Sequence, residues 1–90
     1  MLLVEGGVAR CEGELNLANA SQWLVQGEAA LKDGVTVFDL AEIGQFDSSA
    51  LSLMLSLRRR AQAAGSAIEF HNAPESLASL AELYGVTDQI

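Results

Sequence analysis

The residues best placed for chemistry are Asp47, Ser48 and Ser49. They follow an apolar, β-branched segment, Val35–Leu40, and the loop Ala41–Phe46, and an apolar run to Leu57 comes after them. The pattern is a strand that delivers the chain to a loop, with a helix starting there. Asp47 and Ser48 are both good N-cap residues, because a side-chain oxygen accepts from an unpaired N–H of the first helical turn. Asp47 also has the reach to hold the loop through backbone N–H groups. Sites in open α/β sheets form at the carboxyl ends of strands. Only here do polar residues, a helix start and such a strand end coincide. The chemistry on offer is hydrogen bonding and docking rather than bond making. The sequence holds no nucleophile–base pair, phosphate-cradling glycine loop or metal-ligand cluster. His71, the one histidine, has no partner evident in sequence.

The elements that must position this stretch follow from periodicity and turn chemistry. Met1–Glu5 and Val8–Leu15 read as two strands of a hairpin about Gly6-Gly7. A first helix spans Ala20–Lys32, with Asn19 or Ser21 as cap, Asp33-Gly34 as stop, and Gly27 an interruption costing about 1 kcal/mol against alanine. Val35–Leu40 is a nearly continuous apolar strand, the pattern of one covered on both faces. A second helix runs over about Ser48–Ala64 and stops at Gly65. Ala67–His71 is a strand, Pro74 suits a first helical turn, and Glu75–Tyr84 forms a third helix ended by Gly85. Val86–Ile90 would add a last short strand. The expected fold is α/β, a mixed, mostly parallel four- to five-stranded sheet with an N-terminal antiparallel hairpin and about three helices.

At 100° per residue, Ser49, Ser52, Ser56, Arg59, Arg60 and Ala63 share one arc of roughly 100° on the second helix. Ala50, Leu51, Leu53, Met54, Leu55, Leu57 and Ala61 fill the rest, ready to cover a sheet. Arg58 falls among them, its stem packing while its head reaches water. Small hydroxylated side chains let another surface approach closely, and Leu53 and Leu55 are expected to be partly exposed beside them. The competing reading is a solvated helix face whose arginines suit the C-terminal dipole.

Ninety residues with half of them apolar are expected to make one domain, 1–90, with one modest core. The formal charge of −7 argues against nucleic acid as the partner. Cys11, the single cysteine, makes no internal disulfide and is expected in the core; Trp23 is likewise expected there. No apolar run approaches the roughly 18–20 residues that span a bilayer, and Met1–Glu5 lacks the basic region of a signal peptide. A cytoplasmic location without direct membrane insertion is expected.

Asp39-Leu40, the loop, and Phe46-Asp47-Ser48-Ser49-Ala50-Leu51 together resemble the signature of STAS domains (sulfate transporter and anti-sigma factor antagonist). Gly13-Glu14-Leu15 and Leu83-Tyr84-Gly85-Val86 resemble further family landmarks, and the resemblance covers essentially the whole chain. Ala50 departs from the usual glycine, and Asn16 stands where an acid is common. The resemblance implies a non-catalytic domain that works by binding protein, with no cofactor or metal. Two groups fit. MlaB-like subunits bind the cytoplasmic ATPase (MlaF-like) of a phospholipid-transport ABC system at the inner membrane and support its assembly or activity, in the upkeep of outer-membrane lipid asymmetry. Anti-sigma factor antagonists are switched by a kinase that is also the anti-sigma factor, which here would phosphorylate Ser48. The low-charge loop, the leucine-dense second helix and the abrupt start favour the MlaB-like group. The implied partner-binding residues are Asp47, Ser48, Ser49, Ser52, Ser56, Arg59 and Arg60, and Ser48 is the candidate phosphorylation site.

Overall fold

The structure, a computed structural model, describes residues 1–90. Gly6 and Gly7 take φ of 59° and 81°, the left-handed values a two-residue hairpin turn of the primed type needs at both positions. They fold β1 (Leu2–Glu5) against β2 (Val8–Cys11), with Glu5 opposite Val8. The expected strand Val8–Leu15 is two strands. It breaks at Glu12, and β3 (Gly13–Leu15) starts at Gly13, at φ 101°, in a second sheet. The remaining elements are α1 (Ala20–Lys32), β4 (Val37–Asp39), β5 (Ile43–Phe46), α2 (Ser49–Ala63), β6 (Glu69–His71) and α3 (Glu75–Leu83). The expected last strand is instead a 3₁₀ turn over Thr87–Gln89.

The main sheet has the order β1-β2-β4-β6, antiparallel at the hairpin and parallel elsewhere. A two-stranded parallel sheet, β3–β5, prolongs the β2–β4 pair past an irregular register. β5 lies inside the segment expected to be loop. Its sequence, Ile43-Gly44-Gln45-Phe46, alternates only weakly. Gly44 lies close to the backbone of β3: a Cβ there would stand 3.4 Å from the Gly13 carbonyl carbon, an ordinary contact.

Topology decides which face is covered. The strand order advances in one direction from β2 to β4 to β6, and the right-handed rule for such crossovers puts α1 and α2 on one face. Ala9, Cys11, Phe38 and Phe70 point toward them. Seventeen buried apolar residues form one cluster there, including Trp23 and Ala30 of α1, six residues of α2, and Leu77 and Ala81 of α3. The expectation that Val35–Leu40 is covered on both faces is corrected. Val37 and Asp39 sit half-exposed on the opposite side, which carries no core residue. The apolar appearance of the segment comes from Val35 and Leu40, which lie beyond the strand ends and are buried at 2% and 3% exposure.

All three helices end alike. The C′ glycines, Gly34, Gly65 and Gly85, have positive φ, and the next N–H closes on the third carbonyl from the end: Val35 on Ala30, Ser66 on Ala61, Val86 on Ala81. Trp23 and Cys11 are core residues. The Trp23 indole N–H donates to the Glu14 carbonyl at 3.0 Å, and burial pushes the Cys11 thiol up to about 12. Two details of α2 differ from expectation. Leu53 is buried, leaving only Leu55 half-exposed. Arg58 is half-exposed but does more than reach water: its guanidinium lies 5.4 Å from the Phe70 ring centre and donates to the carbonyls of Ile68 and Gln89.

Gly27 is not a flaw in α1. It is buried where α1 crosses α2, and a Cβ there would stand 2.6 Å from Leu57 Cδ2. Leu57 is itself packed in the core and has little room to yield. Gly27→Leu is therefore expected to lower stability by about 1–3 kcal/mol, despite its gain in helix propensity. Urea unfolding of the two chains measures this.

Candidate partner-binding face

Asp47 organises the start of α2. Its Oδ1 accepts from the Ser49 N–H at 2.9 Å and from the Ser49 hydroxyl, and its Oδ2 accepts from the Leu17 N–H at 3.1 Å. Its own N–H donates to the Leu15 carbonyl at 3.2 Å. Asp47 thus caps α2 and ties the β5–α2 loop to the β3–α1 loop. Ser48 does not act as the cap. It sits at the N-cap position with helical φ and ψ of −64° and −14°, makes no capping bond, and is exposed. An α-region backbone turns its hydroxyl away from the N–H groups that an extended N-cap residue would reach.

The adjoining loop is stiffened in the same manner. Asn16 Oδ1 accepts from the N–H groups of Ala18 and Asn19, while Asn19 Oδ1 accepts from the Asn16 N–H at 2.9 Å. Asn19 does occupy the N-cap of α1, but its side chain serves this loop and the Glu14 carbonyl rather than the helix. Behind the loops, Asp39 Oδ1 accepts from the Ala41 N–H and from Asn72 Nδ2, joining the ends of β4 and β6. Those two bonds, the Ala41 N–H first, hold the Asp39 carboxyl below the usual carboxylate range.

Ser49 and Ser56 are half-buried and Ser52 is exposed, so the strip lies along the outer side of α2. It does not stand alone. α1 packs alongside, and between them runs an open groove of about 230 Å³, lined by Leu17, Ser21, Leu24, Ser49, Ser52 and Ser56 among others. Arg59 reaches back along the strip, donating to the Ser56 hydroxyl at 3.2 Å. Arg60 turns toward α1 and pairs with Glu28 at 3.5 Å, beside a larger groove of about 390 Å³ at the C-terminal ends of both helices. The structure therefore brings Asp47, Ser48, Ser49, Ser52, Ser56 and Arg59 onto one surface and directs Arg60 to its flank. Sequence reasoning missed α1's share of this surface. Leu17 is 82% exposed and Val25 68% exposed. A lone leucine inside the polar run Asn16–Ser21 was the available signal. No cluster of His, Cys, Asp or Glu on the molecule is arranged to hold a metal, and no helix is long and apolar enough to cross a membrane.

The Ser49 hydroxyl, then the Ser49 and Leu17 N–H groups, hold the Asp47 carboxyl below the usual carboxylate range. A carboxylate favoured in the folded state stabilises it above the ordinary carboxylate pKa and loses that contribution as pH falls through the folded value. Asp47→Asn is expected to melt at lower temperature than the parent at pH 7, with the gap closing as pH falls below about 4. Asp39 is common to both chains, so the difference reports Asp47. Melting curves at several pH values test it.

A family model described as "Mlab, STAS domain" matches residues 4–90. No curated protein matches. Among solved structures, that of the anti-sigma factor antagonist SpoIIAA in its unphosphorylated form superposes with a TM-score of 0.75 over 99% of this chain and 83% of the other, at 19% identity. Two structures of Mglu, one in its native form, superpose with TM-scores of 0.62 and 0.57 at 25% and 21% identity. They match 83% and 81% of this chain, which spans only 19% and 22% of theirs. The SpoIIAA likeness carries the fold, the same hairpin, mixed sheet and three helices. STAS domains mediate protein–protein contacts, which suits a face built from hydroxyls, a capped helix start and an open groove. With residues 4–90 matched, the chain belongs to the MlaB-like STAS domain family.

Proposed function

We propose that the protein is a non-catalytic cytoplasmic subunit of an Mla-type phospholipid-transport ABC transporter, held at the inner membrane by binding the MlaF-like ATPase and supporting its assembly or activity. The docking face is the outer side of α2, with Asp47, Ser48, Ser49, Ser52, Ser56, Arg59 and Arg60, widened by Leu17 and Leu24 of the α1 side. The observation that carries this reading is the uncovered serine strip. Its own chain leaves Ser48 and Ser52 exposed, and small side chains keep the groove open beside an otherwise apolar helix pair. A partner helix or loop that fills the groove buries Leu17 and Leu24 and meets hydroxyls along its length. The family match supports the choice of transporter. Ser52→Arg places a long charged side chain at the centre of this face. It is expected to weaken co-purification with the ATPase by at least about tenfold while leaving the melting temperature unchanged. Affinity purification from native membranes, with the eluted ATPase quantified, decides it.

A second reading has its own observation. Ser48 is exposed with a hydroxyl not engaged in capping, directly before α2. A phosphate there would add about −1.5 to −2 charges beside a helix N-terminus, whose positive end favours anions nearby. The protein would then be an anti-sigma factor antagonist switched by an anti-sigma kinase. On this reading Ser48 carries phosphate in protein isolated from cells, and Ser48→Asp releases the kinase while the fold persists. Intact-mass measurement of the native protein checks for the modification. Equal partner affinity for the parent and Ser48→Asp removes Ser48 from the interface under either reading.

A further inference from the structure

One face of the main sheet has no helix over it. The register places Leu3, Arg10, Asp39 and His71 in one row across the four strands, and Glu5, Val8, Val37 and Glu69 in the next. Glu12 extends this surface, 3.9 Å from Arg10, and Glu69 lies 3.2 Å from His71. Val8 and Val37 are direct neighbours, half-buried, and neither they nor Leu3 packs against the core cluster. All-parallel sheets occur almost only where both faces are covered, whereas a sheet with antiparallel strands can leave one face to solvent. Here β2, β4 and β6 are parallel and bare on one side, with aliphatic side chains at its centre.

The charges around that aliphatic centre say what fits it. Glu5, Glu12, Asp39 and Glu69 outnumber the cations beside them, Arg10 and the Met1 ammonium, which donates to the Glu12 carbonyl at 2.7 Å. The surface is therefore anionic, whereas the outer side of α2 ends in Arg59 and Arg60. The same face of a second copy would meet it with like charge, and phosphate-bearing surfaces would be repelled. We infer that this open sheet face is a second docking surface, whose occupant is a protein segment carrying lysine or arginine around aliphatic side chains. Val8 and Val37 supply the apolar contact, and Glu5 and Glu69, at either edge, set the register by charge. The surface lies across the sheet from the α1/α2 groove, so both can be occupied at once.

The test uses the whole chain, isotope-labelled for NMR, and a synthetic peptide of alternating lysine and valine about eight residues long, enough to cross the four strands. The expected result is amide shift changes at Val8, Arg10, Val37, Glu69 and His71, with α2 unmoved. Binding should weaken about tenfold on raising salt from about 0.05 to 0.5 M. The exposed double reversal Glu5→Lys with Glu69→Lys should abolish it without altering the melting curve, and Val37→Thr should weaken it with the charges intact. Shifts confined to the α1/α2 groove overturn the inference, as does undiminished binding by the charge-reversed chain. Concentration-dependent self-association without peptide that the double reversal abolishes would also overturn it, assigning the face to a second copy. None of these outcomes bears on Ser52→Arg, so the two surfaces stand or fall separately.

Discussion

The bonds made by the Asp47 carboxylate are the constraint on which the candidate docking surface depends. One oxygen holds the first turn of α2 through Ser49, and the other holds the loop before α1 through Leu17. Both helices that border the groove are thus fixed at their starts by one side chain. A helix start needs an acceptor for its unpaired N–H groups, and using Asp47 for that task leaves Ser48 free. The exposed hydroxyl is a consequence of where the capping duty falls rather than an independent feature. The backbone of the same residue also links the ends of β3 and β5, since the Asp47 N–H donates to the Leu15 carbonyl.

The sheet supplies the second constraint. A strand order that never reverses, combined with right-handed crossovers, puts α1 and α2 side by side and lets them share a groove. It also concentrates the whole apolar core on one side. The core has no buried polar side chain and no buried side-chain polar atom lacking a partner. The specificity of the fold therefore rests on its edges: the Asp39–Asn72 bond between strand ends, the Asn16–Asn19 exchange, and Arg58 gathering the Ile68 and Gln89 carbonyls. Asn72 adopts a left-handed φ of 59° to make its bond. Asparagine tolerates that conformation better than most residues.

Much of this was legible in the chain, and the reasons for the rest are physical. Helix α1 was readable at both ends because Asp33-Gly34 is an unambiguous stop, and the Gly6-Gly7 hairpin because a paired glycine turn has few other uses. The order of elements and the STAS resemblance followed from the strand–loop–Asp47-Ser48-Ser49–helix pattern. β5 was missed because a short strand containing Gly44 has no usable alternation. The final strand was misread because Val86–Ile90 is apolar at both ends, yet Ile90 tucks toward the core from a 3₁₀ turn. The open face of the sheet was misjudged because Val35 and Leu40 are buried at the strand ends rather than within it. For the site, periodicity alone placed Ser49, Ser52 and Ser56 correctly on the outer side of α2. It could not separate two adjacent cap candidates, Asp47 and Ser48, because the helical backbone that keeps Ser48 from capping does not show in its residue type. Nor could it foresee that α1 supplies the opposite wall.

The contact between Gly27 and Leu57 reaches further than helix packing. Because Gly27 has no side chain, Leu57 packs directly against the α1 backbone at that point, and the two helices sit close together beneath the furrow. That spacing is set from beneath, by the buried residues Gly27 and Leu57. Relatives that carry alanine or serine in place of such a glycine would hold their helices farther apart and offer a different furrow under the same hydroxyls. Partner choice in this fold is then open to tuning from the interior, and comparing visible interface residues alone would overlook it.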